Sequence, residues 1–305
     1  SIGHSGNDSA VEKRRRAVIK DRVIEMFSKE VMDNVANGSW IRAMFEQGLQ
    51  LIAKYGAENV YDFTLGNPDP EPDPRVQDTI RELVSGKYPD IHKYMANAGY
   101  GDVREKVAQY TQRETGVAVT GDFVVMVAGA AAGLNAVLKA LLNPGEEVLV
   151  SAPYFVEYKF YTENYGGRLV TVNALPDTFQ LDLPAIKNAI TPNTKTLILN
   201  SPNNPSGAVY PEADLLRLAE ILAEKEKEYG HPIYVISDEP YVKIVYDGVV
   251  VPPMPAIFKN SVVVNSFSKS LALPGERIGY VVVNPAIENA KQLVAGIIFS
   301  ARVLG

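Results

Sequence analysis

One short segment of the sequence carries hydroxyl, amine and guanidinium groups directly after the apolar run "SVVVN". The segment reads "SFSKSLALPGER" and contains Ser266, Lys269 and Arg277. A lysine amine becomes a nucleophile when burial or nearby cations lower its pKa. An arginine can hold a phosphate through two parallel hydrogen bonds. A solvated loop explains each residue singly, so the interpretation depends on what lies around the segment.

Small or aromatic residues follow two other apolar runs. After "VVMVA" comes "GAAAGLN", which opens a helix at Gly129. Small side chains there let a phosphate approach the N–H groups of a helix N-terminus, although close packing of the helix on a sheet is the alternative. After "EEVLVS" comes "APYFVEY". Its aromatic rings could stack on a planar ligand or belong to the core.

Two more runs end in polar groups. After "TLILN" comes "SPNNPSG", in which prolines bracket two asparagines; a fixed Asn204 amide is a directional donor and acceptor. After "IYVIS" comes "DEPYVKI", with Asp238 at the strand end and Tyr241 three residues later. Asp238 could protonate a heteroaromatic nitrogen, or it could cap the next turn.

The apolar runs predict the elements that position these residues. Helical segments separate several of the runs, which indicates βαβ units and a mostly parallel, roughly seven-stranded sheet covered by helices on both faces. Ligands of such α/β sheets bind beyond the carboxyl ends of the strands. The strands are predicted at "FVVMV", "EEVLVS", "RLVTV", "KTLILN", "IYVIS", "SVVVN" and "IGYVVV".

Composition excludes several classes of protein. The net charge of -6 argues against a general nucleic-acid binder, despite the basic run "EKRRRAVIK" near the N-terminus. The chain has no cysteine and only 3 histidines, so we expect no disulfide and no metal site. The longest apolar stretch is too short to cross a bilayer, and no signal peptide is evident. We expect a cytoplasmic protein without membrane or nucleic-acid partners.

The motifs "SPNNPSG", "DEPY" and "SFSKSLALPGERIGY", in this order, resemble those of the class I and II aminotransferases. These are fold-type I enzymes that use pyridoxal 5'-phosphate (PLP). The resemblance covers about residues 28–305. It implies a flexible leader at 1–27, an N-terminal arm with part of a small domain at 28–75, and the large PLP-binding domain at 76–305. Family members continue beyond Gly305, so we expect the C-terminal small domain and its α-carboxylate-binding arginine to be missing.

The resemblance implies a role for each residue at the strand ends. Lys269 resembles the Schiff-base lysine, which also moves a proton between Cα and C4'. Asp238 resembles the carboxylate that keeps the pyridine nitrogen protonated. Tyr241 and Asn204 resemble the pair that binds the 3'-oxygen, and Phe155 the stacking ring. A cis Asn204–Pro205 peptide is implied as well. The phosphate is implied to bind Gly129, Ala130, Ala131, Ser266 and Arg277.

Two N-terminal motifs extend the resemblance. "TLGNPDP" looks like the segment whose glycine, here Gly66, lies near the substrate carboxylate, where Asn204 is also implied to bind substrate. "KYMANAGYGDVREKV" resembles the segment whose tyrosine, here Tyr94, reaches the phosphate of the partner subunit. This implies a homodimer with shared active sites. Arg302 resembles a distal-carboxylate arginine or is a surface residue; both interpretations stay open.

The resemblance predicts an aminotransferase that moves an amino group between an L-amino acid and a 2-oxo acid. The implied mechanism is ping-pong, through the Lys269 Schiff base and a pyridoxamine form of the cofactor. Two alternatives remain. A PLP-dependent lyase or synthase could use the same lysine and aspartate, because the cofactor carries the chemistry. A PLP-binding regulatory module without transaminase activity is the other.

Overall fold

The computed structural model describes residues 27–37, 39–61, 63 and 66–305. The chain divides into two compact units, Ser1–Asn67 and Pro68–Gly305. The described part of the first unit contains helices α1 (Lys29–Asn37) and α2 (Ser39–Tyr55) and a short 3₁₀ turn at Ala57–Asn59. Nearly all of the predicted leader at 1–27 lies outside the described residues. The assignment of 28–75 and 76–305 to separate domains stays a prediction.

The second unit contains the sheet. Its strands are β1 (Val124–Val127), β2 (Glu147–Ala152), β3 (Arg168–Asn173), β4 (Thr194–Asn200), β5 (Tyr234–Asp238), β6 (Ser261–Ser266) and β7 (Gly279–Val283). All seven lie within one residue of the predicted strands. The helices are α3 (Pro74–Leu83), α4 (Gly101–Thr115), α5 (Gly129–Leu141), α6 (Glu157–Glu163), α7 (Leu183–Ala189), α8 (Glu212–Tyr229), α9 (Met254–Ile257), α10 (Phe267–Ser270) and α11 (Ala290–Leu304).

The sheet is mostly parallel, as predicted. The strand order is β1-β7-β6-β5-β4-β2-β3, and only the pairings of β7, with β1 and with β6, are antiparallel. β7 reverses because the chain turns back at the edge where β6 ends, after the single short helix α10. The pairs β2–β3, β2–β4, β4–β5 and β5–β6 are parallel, so their carboxyl ends meet at one edge.

Helices cover both faces of the sheet. On one face, α5 places Leu134 and Leu138 against β6 and β7, and α11 adds Ile297. On the other face, α8 buries Leu215 and Leu218. These apolar residues recur at the three- to four-residue spacing of one helix face. Burial of each leucine side chain stabilises the folded state by about 1.5–3 kcal/mol relative to an exposed one. The packed core therefore fixes the positions of the strands and of the residues at their ends.

None of the helices in the described residues is long and apolar enough to cross a membrane.

Candidate active site

The register of the sheet brings three strand ends together. Asn200 at the end of β4 pairs with Asp238 at the end of β5, and Asp238 pairs with Val264 of β6. β6 continues for two residues beyond this pair, to Ser266. The residues that follow these strands therefore share one edge, which is where sequence reasoning placed the site.

Asp238 is the buried acid at this edge, with 5% of its surface exposed. Its Oδ2 accepts a hydrogen bond of 2.5 Å from the Tyr158 hydroxyl. Its Oδ1 is buried and has no hydrogen-bond partner among the residues that the structure describes. Burial raises the pKa of Asp238 to about 6, and the bond from Tyr158 opposes this rise. A buried acceptor without a partner is costly, so Oδ1 suits a donor that a ligand brings.

Tyr158 was not predicted as a site residue. It lies in α6, is 1% exposed, and meets the Phe155 ring edge-on at a centroid distance of 5.6 Å. Burial, followed by the charge of Asp238, raises the pKa of Tyr158 well above its ordinary value, so the hydroxyl keeps its proton. The available signal was a second aromatic residue three positions after Phe155 in the segment "APYFVEY".

The Asn204 side chain lies beside Tyr241. Its Nδ2 donates to the Tyr241 hydroxyl at 3.3 Å, and burial raises the pKa of Tyr241. The Asn204–Pro205 peptide is cis, as the resemblance implied, and so are Ser201–Pro202 and Ala152–Pro153. The structure therefore brings these two predicted partners of one ligand oxygen together.

Asn200 is a second residue that sequence reasoning missed. Its Nδ2 donates to the backbone oxygen of Asp238 at 2.8 Å, and its Oδ1 accepts from the backbone N–H of Asn204 at 2.6 Å. One buried amide thus ties the loop after β4 to the end of β5. The signal was an asparagine directly after the apolar residues Leu197, Ile198 and Leu199 at the end of β4.

Gly129 and Arg277 form a close contact at the N-terminus of α5. Gly129 has φ +83°, and a Cβ added to it would lie 2.6 Å from Arg277 Nη2. Gly279, the first residue of β7, is equally constrained, since its added Cβ would lie 2.7 Å from the Gly129 carbonyl carbon. Gly129 lets the Arg277 guanidinium approach the N-terminus of α5, and Gly279 lets β7 approach it. Ala130 and Ala131 continue that first helical turn.

Lys269 and Ser266 come from the end of β6 and the helix after it. Ser266 is the last residue of β6 and is 3% exposed. Lys269 lies in α10 and is partly buried, and this burial lowers the pKa of its amine. A lowered pKa favours the neutral, nucleophilic amine.

Two predicted site residues come from segments outside the strands of the sheet and the loops that follow them. Gly66 belongs to the first unit. Tyr94 is fully exposed and lines an open cavity of about 1000 Å³, together with Arg277 and Arg302. The roles of Gly66 and Tyr94 stay predictions, and so does a substrate contact of Arg302.

Comparison with protein families gives a match over most of the chain. The family described as "Aminotransferase class I and II" matches residues 58–304. Among curated proteins, the chain is 36% identical to aspartate/prephenate aminotransferase of Thermus thermophilus over 236 residues, which covers 77% of this chain and 56% of that protein. It is also 36% identical to the arginine–pyruvate transaminase of Pseudomonas aeruginosa over 231 residues, covering 74% of this chain and 56% of that protein.

Solved structures agree with this match. A crystal structure of an amino transferase from Eubacterium rectale superposes with a TM-score of 0.86 at 41% identity, covering 90% of this chain and 70% of that one. Aspartate aminotransferase of Thermus thermophilus with maleate superposes with a TM-score of 0.74 at 32% identity, covering 86% of this chain and 65% of that one. The chain thus spans a little over half the length of the curated relatives that it matches.

Proposed function

This chain belongs to the class I and II aminotransferases, and we propose that it binds PLP at the carboxyl edge of its sheet for amino-group transfer between an L-amino acid and a 2-oxo acid. The observation that carries the proposal is the buried Oδ1 of Asp238, which has no hydrogen-bond partner among the described residues. PLP is the cofactor of this family, and its protonated ring nitrogen is the kind of donor that this oxygen suits.

The ring of the cofactor makes three demands, and residues at the edge fit each of them. Asp238 would hold the proton on the ring nitrogen, because a buried carboxylate favours a positive partner. Asn204 and Tyr241 would both bind the ring oxygen, since Asn204 Nδ2 already lies 3.3 Å from the Tyr241 hydroxyl. Phe155 would stack on the ring, since the Tyr158 ring packs edge-on against it and restricts its movement.

The phosphate would bind at the N-terminus of α5. The N–H groups of the first turn, Gly129 to Ala131, have no partner within the helix and point outward with its positive dipole end. The guanidinium of Arg277 lies against Gly129 and adds a positive charge. Ser266 would add a hydroxyl donor. Because Gly129 has no side chain, the Arg277 guanidinium can lie beside the N-terminus of α5, where it suits a bound phosphate.

Lys269 would hold the cofactor covalently and, once the substrate amine has displaced it, its amine would move the substrate proton. When bound, PLP supplies an electron sink for negative charge at the substrate Cα. The lysine amine has a lowered pKa because it is partly buried. An amine whose pKa lies nearer to neutrality accepts and returns a proton more readily.

A second copy of the chain is part of the proposal. Tyr94 is fully exposed beside the cavity that Arg277 also lines, and the apolar residues Met95 and Tyr100 next to it are exposed as well. A symmetric partner would cover this surface and place its own Tyr94 near the phosphate. Sedimentation analysis with PLP tests the dimer. A cytoplasmic location stays a prediction from the sequence.

A half-reaction tests the activity. The PLP-loaded chain is mixed with single L-amino acids, with aspartate and arginine included, and the released cofactor is identified by mass. Conversion to pyridoxamine phosphate together with a 2-oxo acid is the expected result. Loss of carbon dioxide or elimination products without pyridoxamine phosphate would favour a lyase or synthase. A PLP-binding chain that consumes none of the amino acids would favour a binding module.

A further inference from the structure

We infer that Tyr158 is a positioning residue, whose hydroxyl holds Asp238 by its Oδ2 and so leaves Oδ1 as the one acceptor that faces the ring nitrogen of the cofactor. The inference rests on the proposed PLP site and adds to it a residue from outside the predicted set. Its basis is the pair of observations on one carboxylate: a 2.5 Å bond at Oδ2 and no partner at Oδ1 among the described residues.

Packing fixes the donor in place. The Tyr158 ring is 1% exposed, stacks near-parallel with Tyr154 at 6.5 Å, and meets Phe155 edge-on. Its backbone oxygen accepts a 2.8 Å bond from the Thr162 hydroxyl one turn later in the chain. A side chain held on several sides in this way can fix the rotation of the carboxylate that it binds.

The choice of a hydroxyl has a chemical consequence. A lysine or arginine at this position would pair with Asp238 and compete with the positive ring nitrogen. A neutral donor satisfies one oxygen and leaves the negative charge for the cofactor. Burial keeps Tyr158 neutral by raising its pKa well above the ordinary range, so the proton stays on the phenol and the charge on the carboxylate.

The surroundings of Asp238 make this donor matter. Among the described residues, the charge of Asp238 raises the pKa values of Tyr158 and Tyr161 of α6, and of Glu239 and Tyr241 from the segment after β5. Lys269 follows the neighbouring strand β6. Burial raises the pKa of Asp238 and the Tyr158 hydroxyl is the group that lowers it. Removing the hydroxyl should therefore let Asp238 lose its charge at a higher pH.

The test is the pH dependence of PLP affinity, measured by absorbance titration of the full chain. In wild type, affinity should fall as the pH drops through about 6, where Asp238 gains a proton. In Tyr158→Phe, which keeps the ring, we expect about tenfold weaker binding near neutral pH and a midpoint about one pH unit higher. The control is Tyr229→Phe in α8. It removes a hydroxyl that donates to the backbone oxygen of Ile190 at 3.2 Å.

Two further proteins separate positioning from general packing. Incorporation of 3-fluorotyrosine at position 158 strengthens the donor with little change in size, and should move the midpoint to lower pH. This test remains decisive even if Tyr158→Phe does not fold. In an Asp238→Asn background, Tyr158→Phe should weaken binding no further, since the hydroxyl acts through the carboxylate.

The outcomes distinguish this inference from the proposed function. If wild type does not bind PLP, the proposed function fails. If wild type binds PLP while Tyr158→Phe titrates like Tyr229→Phe, or fluorotyrosine leaves the midpoint unchanged, the positioning role is overturned and the PLP site stands.

Discussion

Two buried carboxylates at opposite ends of the sheet differ in how their oxygens are satisfied. Glu147, at the start of β2, is 1% exposed. Its Oε1 accepts from the Arg168 guanidinium, and its Oε2 accepts from the hydroxyls of Thr191 and Thr194 at 2.7 and 3.2 Å. Asp238, at the end of β5, is 5% exposed and uses one oxygen only within the described residues.

The difference shows that burial alone does not mark a functional acid. The chain satisfies Glu147 fully with local partners, so its role is to hold strands and loops together. Leaving a buried polar atom without a partner costs about 1–3 kcal/mol. The fold bears this cost at Asp238, at the edge where ligands of parallel sheets bind. Between these two carboxylates, the unsatisfied oxygen therefore separates the candidate site from the structural network.

Asp238→Asn should produce the largest effect. The amide carries no charge and cannot hold a proton on the ring nitrogen. PLP affinity should fall about a hundredfold, as expected when one member of a buried charged pair is removed. Absorbance titration measures the change, and circular dichroism should show an intact fold. If this variant bound PLP as tightly as wild type, the claim that Asp238 binds the cofactor would be wrong.

Glu147→Gln should affect stability instead. The variant loses the ion pair with Arg168 and places an amide N–H₂ among hydroxyls that now donate to a carboxylate. The free energy of unfolding should fall by about 2 kcal/mol, within the range for disrupted buried hydrogen bonds to a charged group. Urea denaturation measures this loss. PLP affinity should stay at the wild-type value, and a parallel loss of affinity would remove the contrast between the two ends.

Two glycines with the same backbone conformation, Gly129 and Gly145, allow the two ends of the sheet to be compared by substitution with alanine. Gly145, just before β2, shares the positive φ of Gly129 (+87° against +83°), but its added Cβ would meet no atom within 4 Å. Both alanine variants should lose about 1 kcal/mol of stability from the left-handed backbone. Only Gly129→Ala should lose PLP affinity, by about tenfold, because its methyl group displaces Arg277 from the phosphate. Equal affinities in the two variants would argue against the phosphate position.

Glu239 offers a third carboxylate for the comparison, with a smaller expected effect. It is partly buried and accepts a 2.7 Å bond from the Ser237 hydroxyl, and burial raises its pKa from 4.5 to about 7. The folded state therefore binds the proton more tightly, and stability is lost as the pH rises from about 4.5 through 7. Glu239→Gln should be more stable than wild type by about 1–2 kcal/mol above pH 7 and nearly equal to it at acid pH.

Thermal unfolding of both proteins across this range is the measurement for Glu239. The exposed Glu224, whose pKa Lys187 lowers, supplies the control Glu224→Gln. That variant should show no gain at high pH. A gain of equal size in both variants would assign the effect to net charge rather than to burial.

The sequence predicted the strands and their terminal residues because both signals are local. An apolar run and the polar residue that follows it are neighbours in the chain, so Asp238, Asn204 and Lys269 could be named directly. Tyr158 and Asn200 could not be assigned, since each acts on Asp238 from another strand or helix. The Tyr158 hydroxyl bonds a residue 80 positions later, and a contact at that separation depends on the strand order.

The roles of Gly66 and Tyr94 could not be predicted from their local sequence. Their roles came from the resemblance alone, because neither residue follows a strand of the sheet. Gly66 belongs to the first unit, and Tyr94 is fully exposed. Sequence reasoning is therefore strongest where one strand end contains the whole signal.

The central claim is that the strand ends assemble a PLP site around Lys269. The most direct test is the absorbance spectrum of the chain with PLP, before and after borohydride, for wild type and Lys269→Ala. We expect wild type to show a band near the edge of the visible range that borohydride abolishes, and Lys269→Ala to lack this band. Identical spectra for the two proteins would contradict the account.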